Sequence, residues 1–198
     1  MKFKTLLIII ILSFYSFAVN KYISTSGNDN NNGNTFITAY ASVQKSMASR
    51  SPGDTIFVDT GSYSLVETAA NGTPENPIVI KPYSLIKPKI ASIWIQHKNW
   101  IVDSVQFIDC SARAAIRITK DSVLIKNCDV VNGSYTNAVW VNNTDGVSVT
   151  FLKCLFRDCT RFYVQTGNCD VIKSVFTGYP SLAAVGVAFQ AAGYSIWV

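Results

Sequence analysis

The chain is 198 residues long, carries a formal charge of +5 and is 48% hydrophobic, with only 15% charged residues. So few charges, against about 25% in ordinary globular proteins, exclude a coiled coil, a charge-rich helical bundle and a disordered chain. One His and two Glu leave little material for a His-rich metal site, and five Cys, an odd number, leave at least one unpaired within the chain.

Residues 1–18 read MKFKTLLIIIILSFYSFA. Lys2 and Lys4 form a basic start, Leu6 to Phe14 is almost wholly apolar, and Ser16 and Ala18 supply small residues at the −3 and −1 positions of a cleavage site. The segment is expected to be a secretory signal peptide, leaving a domain over 19–198. A membrane anchor is the alternative reading, for which the apolar run is short. Removing Lys2 and Lys4 takes the charge from +5 to +3, and no Lys/Arg-dense stretch remains, so nucleic acid is not an expected partner.

Gly27 to Asn34 (GNDNNNGN) lacks the ligand spacing of an EF-hand loop and is expected to be a polar turn. Thr38 to Ser49 places Tyr40, Val43 and Met47 at helical spacing, which predicts a short amphipathic helix within a cap over about 36–50. Pro52-Gly53-Asp54 ends it, and Thr55-Ile56-Phe57-Val58 begins a first strand, with coils from about 54 to 198.

Beyond residue 90 the sequence repeats itself. The runs Ile93-Trp94-Ile95, Ile116-Arg117-Ile118, Val139-Trp140-Val141, Phe162-Tyr163-Val164 and Val185-Gly186-Val187 each begin 23 residues after the last. In each run the first and third residues are apolar, the alternation of a strand with one buried face. A second column, Phe107, Val130, Phe156 and Phe176, follows at spacings of 23, 26 and 20, and Val123-Leu124-Ile125 and Val147-Ser148-Val149 lie between the two. Units this small cannot bury an apolar face alone, but stacked in parallel they can. The predicted fold is all-β, a single-stranded parallel β-helix of about 23 residues per coil with a short N-terminal capping helix. Antiparallel hairpins of a β-sandwich would not hold one register over four steps.

The first half also resembles a known group. Tyr22-Ile23-Ser24, Ser26-Gly27-Asn28-Asp29, Pro52 to Val58, Gly61-Ser62-Tyr63, Gly72 to Ile78, Ile80-Lys81-Pro82-Tyr83 and Lys87-Pro88 occur in the same order in the N-terminal part of secreted right-handed β-helix proteins of the pectate-lyase-like superfamily. Family 9 pectate lyases and many uncharacterised β-helix proteins share this order, and family 6 alginate and chondroitin lyases share a looser form. The resemblance covers residues 21–92. It implies a right-handed helix, a polysaccharide partner and Ca2+ as the cofactor of a lyase. The family 9 acidic cluster with adjacent Asp residues, its Gly-Trp-Asp stretch and its catalytic Lys are missing, and the family 6 Lys and Arg motif has no counterpart. No catalytic or metal-binding residue is therefore carried over.

Alternation assigns the outward column to Trp94, Arg117, Trp140, Tyr163 and Gly186. Two positions on lie Gln96, Thr119, Asn142, Gln165 and Ala188, followed by His97, Lys120, Asn143 and Thr166. Aromatic rings can cover the apolar face of a sugar, amides bind its hydroxyls, and Arg pairs with a uronate carboxylate. Trp94, Arg117, Trp140, Tyr163, Gln96, Asn142 and Gln165 are thus candidate glycan contacts; stacking that only stabilises the sheet is the competing explanation. For proton abstraction beside a uronate carboxylate, Arg117, Lys120 and His97 are the candidate catalytic residues on this face. Arg is a poor base, and His97 beside Lys98 reads as turn chemistry.

Asp109, Asn132, Asp158 and Gly178 recur two residues after the second column and are expected to form a turn ladder rather than a calcium site. Cys128 and Cys154 fall on equivalent positions of adjacent coils, Cys110 and Cys159 on equivalent positions two coils apart, and Cys169 stands alone. Inward thiols are the expected arrangement, with a Cys128–Cys154 disulfide as the alternative.

Two functions remain open on the sequence. One is a secreted β-helix that binds or cleaves an acidic polysaccharide such as pectin or alginate. The other is a non-catalytic cell-surface or structural β-helix, an adhesin or binding module. The chain stops at Tyr194-Ser195-Ile196-Trp197-Val198 without a capping pattern, so missing coils or self-association at that end are expected.

Overall fold

The computed structural model of the protein describes residues 18–108, 114–131, 137–142, 149–159, 162–166 and 169–178. The predicted signal peptide, the run at Val185 and the C-terminal end lie outside the described residues, as do Asp109, Cys110, Asn132 and Asn143.

The described strands form three parallel sheets, visited in the same order on each turn of the chain. The first sheet has seven strands, Asn20–Ile23, Thr55–Val58, Ile78–Pro82, Trp100–Asp103, Val123–Lys126, Val149–Leu152 and Cys169–Ile172. The second has six, Ser62–Tyr63, Lys89–Ile90, Gln106–Ile108, Asp129–Val131, Leu155–Arg157 and Val175–Thr177. The third has five, Val66–Glu67, Ile93–Ile95, Ala114–Ile118, Asn137–Asn142 and Phe162–Thr166. Every strand pairs with its equivalent on the neighbouring turn, so the molecule is a parallel β-solenoid. In the third sheet Ile93, Ile116, Val139 and Phe162 align as four successive turns of 23 residues. Phe107, Val130, Phe156 and Phe176 align in the second.

Sequence alternation becomes burial directly. Val123-Leu124-Ile125 buries its first and third residues, and so do Ile93-Trp94-Ile95 and Val149-Thr150-Phe151. The inward residues stack into one core, with Trp100, Phe107, Phe151, Phe156 and Phe162 its largest members. Phe151, Phe156 and Phe162 meet edge to face at centroid separations of 5.0–5.9 Å, and Phe156 stacks on Phe176 at 4.7 Å. Such aromatic pairs add about 0.5–1.5 kcal/mol beyond their area burial. Trp100 buries its indole by donating Nε1–H to the Ala70 carbonyl at 2.8 Å.

The turns are as regular as the strands. Ser104, Asn127, Lys153 and Lys173 take positive φ values of 50–56° at equivalent corners between the first and second sheets. One left-handed residue there redirects the chain without lengthening the coil. The next residues, Val105, Cys128, Cys154 and Ser174, turn inward; Val105 N–H approaches Cys128 Sγ at 3.5 Å and Cys154 N–H donates to Ser174 Oγ at 3.0 Å. The thiols of Cys128, Cys154 and Cys169 are free and buried, so the Cys128–Cys154 disulfide is not formed, and Cys159 is buried as well. Burial pushes the Cys154 thiol up to about 11 and Cys169 up to about 12, and raises Cys128 well above its ordinary value. Asp158 and Gly178 both have positive φ, 54° and 70°.

The predicted Thr38–Ser49 helix is shorter than its pattern suggested. Only Val43–Met47 is helical, with Ser42 Oγ accepting from Lys45 N–H at its start. Tyr40 instead forms a parallel bridge with Ile23. Three residues of helical spacing could not distinguish the two, because the exposed edge of the Asn20–Ile23 strand competes for Tyr40: Tyr22 O accepts from Tyr40 N–H, and Ser24 N–H donates to Tyr40 O. Val43 and Met47 are buried in the core cluster. The Gly27–Asn34 loop is a polar turn in which both Asp29 carboxylate oxygens accept from Ala41 and Ser42.

Candidate functional site: the outer face of the third sheet

The third sheet is the one whose register repeats without insertion between residues 93 and 163, so its outward residues line up along the solenoid axis. Glu67, Trp94, Arg117, Trp140 and Tyr163 are consecutive partners in it. Neighbouring rungs are about 4.8 Å apart.

At that spacing the Arg117 guanidinium is sandwiched between two indoles. Its Cζ lies 5.1 Å from the Trp94 ring centroid and 4.8 Å from that of Trp140. All three side chains are half-buried. A guanidinium is planar and weakly hydrated, so it stacks where an ammonium would not, and each contact is worth about 0.5–2 kcal/mol. Arg117 Nε and Trp94 Nε1 are buried without a hydrogen-bond partner, the cost of closing the stack. Trp140 Nε1–H donates to Gln165 Oε1 at 3.1 Å.

That hydrogen bond exposes a slip in the expected second column. Asn142 pairs with Thr166, not with Gln165, because the register shifts between Val141 and Asn142. The strand Phe162–Thr166 bulges by one residue, which turns Gln165 toward the Trp140 edge and away from the Gln96–Thr119–Asn142 column. Counting residues cannot detect such a bulge, since the 23-residue spacing of the runs is unaffected. Gln96 is exposed and reaches Glu67 Oε2 at 3.4 Å, and Asn142 is half-buried.

At the sheet's first strand, Gln44 of the short helix binds the backbone of Glu67 twice. Glu67 N–H donates to Gln44 Oε1 at 2.7 Å, and Gln44 Nε2 donates to Glu67 O at 3.3 Å. The sequence offered no signal for this clamp.

The candidate catalytic residues have structural surroundings. His97 Nδ1 lies 3.0 Å from Thr68 Oγ1, a group that also accepts from Gln96 N–H. Lys98 N–H binds Asn71 Oδ1, and Lys98 Nζ pairs at 3.3 Å with the buried Asp121. His97 and Lys98 thus bind groups on neighbouring turns of the solenoid. Lys120 is half-buried at the turn after Ile118. Arg117 is held between aromatic faces rather than beside an acid that would tune it. Among the described residues no three His, Cys, Asp or Glu side chains converge on a point where a metal ion would sit. Asp29, the acid of the polar loop, has its oxygens committed to backbone and hydroxyl donors. These residues do not fit the Ca2+ site that the lyase resemblance implied.

No protein-family model matches the chain, and no curated protein matches it. Solved structures do. A rhamnogalacturonan lyase aligns at 13% identity and a TM-score of 0.49 over 82% of this chain and 58% of its own. The GH136 lacto-N-biosidase from Eubacterium ramulus aligns at 10% identity and a TM-score of 0.59 over 81% of this chain and 41% of its own. The chain thus spans less than two thirds of either structure. The second likeness establishes a shared β-solenoid fold.

Proposed function

We propose that the protein is a secreted, right-handed β-helix, closed at its N-terminal end by the short helix, that binds an acidic polysaccharide along the outer face of the third sheet. The observation that carries the reading is the Arg117 guanidinium fixed between Trp94 and Trp140. A cation already immobilised loses little further freedom when it pairs with a carboxylate, and its planar fork matches that anion in two hydrogen bonds. Gln96 and Asn142 lie alongside as partners for sugar hydroxyls. The lacto-N-biosidase that shares the fold makes a carbohydrate partner a natural choice.

Binding is favoured over cleavage. Proton abstraction next to a uronate needs a base held close to the substrate and cations that neutralise the carboxylate. His97 is tied to Thr68 and Arg117 is stacked, so neither is presented as a base.

The test is a glycan array that includes polygalacturonate, alginate and chondroitin, with the native protein and the Trp140→Ala and Arg117→Met variants. Binding to a uronate polymer that both variants weaken at least tenfold is expected. Incubation of the same polymers with and without calcium should give no rise in absorbance from unsaturated product. Release of that product would replace the binding reading by a lyase, and absence of binding to every glycan would remove both.

A further inference from the structure

A different surface, away from the third sheet, carries an independent inference. Among the described residues eight large hydrophobic side chains are exposed, and five of them, Phe36, Ile37, Tyr83, Leu85 and Ile86, lie in two loops. The loops touch: Phe36 and Tyr83 stack at 4.6 Å with an interplanar angle of 15°. Tyr83 in turn sets its edge against Tyr22 and Phe57 on the first sheet, at 5.7 and 6.4 Å. The aromatic rings therefore cover one another, while the aliphatic tips beside them cover nothing. Ile37 is 93% exposed, Leu85 104% and Ile86 63%.

The loops are braced, so these tips are held out by construction. Thr35 and Thr38 bond each other through their hydroxyls at 2.9 Å, and Thr38 reaches Asn32 Oδ1 at the same distance. The second loop runs between Pro82 and Pro88, with Ile86 N–H donating to Ser84 Oγ.

Charge surrounds the tips. Residues 81–89, KPYSLIKPK, contain three lysines and no carboxylate. Lys81 sits 4.9 Å over the Phe57 ring, and Lys87 pairs with Asp129 at 2.7 Å. Beside the tip lies a hollow of about 390 Å³ lined by Thr60, Ser62, Ile86, Lys87, Lys89 and Gln106. The Lys89 ammonium with hydroxyl and amide groups beside it suits a phosphate, while the Lys87 ammonium on the same wall is already paired with Asp129.

We propose that the two loop tips and this hollow form a docking surface for an anionic phospholipid membrane. Ile37, Leu85 and Ile86 would enter the boundary between headgroups and acyl chains, Tyr83 and Phe36 would lie at headgroup level, and a lipid phosphate would occupy the hollow. Apolar side chains that enter the interface, flanked by lysines that meet anionic lipid, are the two contributions that hold peripheral proteins on membranes. A second copy of the chain suits the surface less well. A two-fold contact would set Lys81, Lys87 and Lys89 against their own equivalents.

The probe is co-sedimentation with vesicles of phosphatidylcholine, with and without 30% phosphatidylglycerol. Binding to the anionic vesicles is expected, at least fivefold weaker on pure phosphatidylcholine and falling as salt is raised. The Ile37→Ser/Leu85→Ser/Ile86→Ser variant should lose at least tenfold. Leu85→Ser alone, at the most exposed position, should lose at least threefold and serves if the triple variant fails to fold. Soluble glycerophosphoglycerol tests the headgroup apart from the surface: it should bind far more weakly than vesicles, and equal affinity would overturn the membrane assignment. The proposal also fails if neither vesicle binds, if the variants bind as the native protein does, or if the loops prove to drive concentration-dependent dimerisation that the triple variant abolishes. None of these outcomes bears on glycan binding at Trp140.

Discussion

The outer face of the third sheet and the paired loops at residues 36–37 and 83–86 both bring large apolar groups to the surface, in opposite ways. On the sheet, each aromatic residue has a register partner one rung away, and Trp94, Arg117 and Trp140 cover one another. At the loops no register exists, and Ile37 and Leu85 stand almost wholly in solvent. Exposure alone is therefore a poor guide. An apolar side chain at the surface calls for an external partner only where its neighbours leave it uncovered, and among the described residues this is most complete at the loop tips, Ile37, Leu85 and Ile86, while Ile172 and Val175 on strands are exposed only to 37% and 40%.

Substitutions can break this contrast, and the largest effect is expected at the centre of the ladder. Arg117→Ala removes both cation–π contacts and should cost about 1–3 kcal/mol. Arg117→Lys, which keeps the charge but not the plane, should fall between the two. Urea midpoints of the three proteins check the order, and an Arg117→Ala protein as stable as the native one would mean that the stack contributes nothing.

A polar counterpart of the ladder lies on the first sheet, where Lys126 and Asn127 reach Asp103 at 3.2 and 2.8 Å. Burial pushes the Asp103 carboxyl up, but hydrogen bonds from Asn127 and Ser104 and the Lys126 ammonium together outweigh it and hold its pKa below the ordinary value. A carboxyl whose pKa falls on folding stabilises fully above the unfolded value, about 3.9, and loses that contribution as pH drops through the folded one. Asp103→Asn should therefore destabilise at pH 7 by a modest margin that shrinks as the pH falls below the unfolded value, about 3.9, read by thermal unfolding at neutral and acid pH. The smallest effect sharpens the contrast from the other side: Leu85→Ser should shift the urea midpoint by no more than about 0.5 kcal/mol of stability, since the side chain touches nothing that folding builds.

Much of this architecture was legible in the residues themselves. Strict spacing at 93, 116, 139 and 162 placed the third sheet, and alternation within each run put Trp94, Arg117, Trp140 and Tyr163 on one outward column. Other features had no local signal. The Gln165 bulge adds a residue to the strand without changing the spacing of the runs. The left-handed corners fall on Ser104, Asn127, Lys153 and Lys173, and two of these are lysines, which carry no turn preference of their own. The helix ran short because Tyr40 had a competing backbone partner in Tyr22, distant along the chain. In each case tertiary pairing decided what local pattern left degenerate.

The parallel stacking of the three sheets has a mechanical consequence. Hydrogen bonds between turns run along the solenoid axis, so tension applied between its ends loads only the bonds at the last turn instead of a whole sheet at once. Turns should then peel away singly, each releasing 20–26 residues, about 70–90 Å of extended chain. Tension at right angles to the axis would meet the covalent backbone of each coil. The molecule is in this sense a spring wound against lateral load and a zipper under axial load.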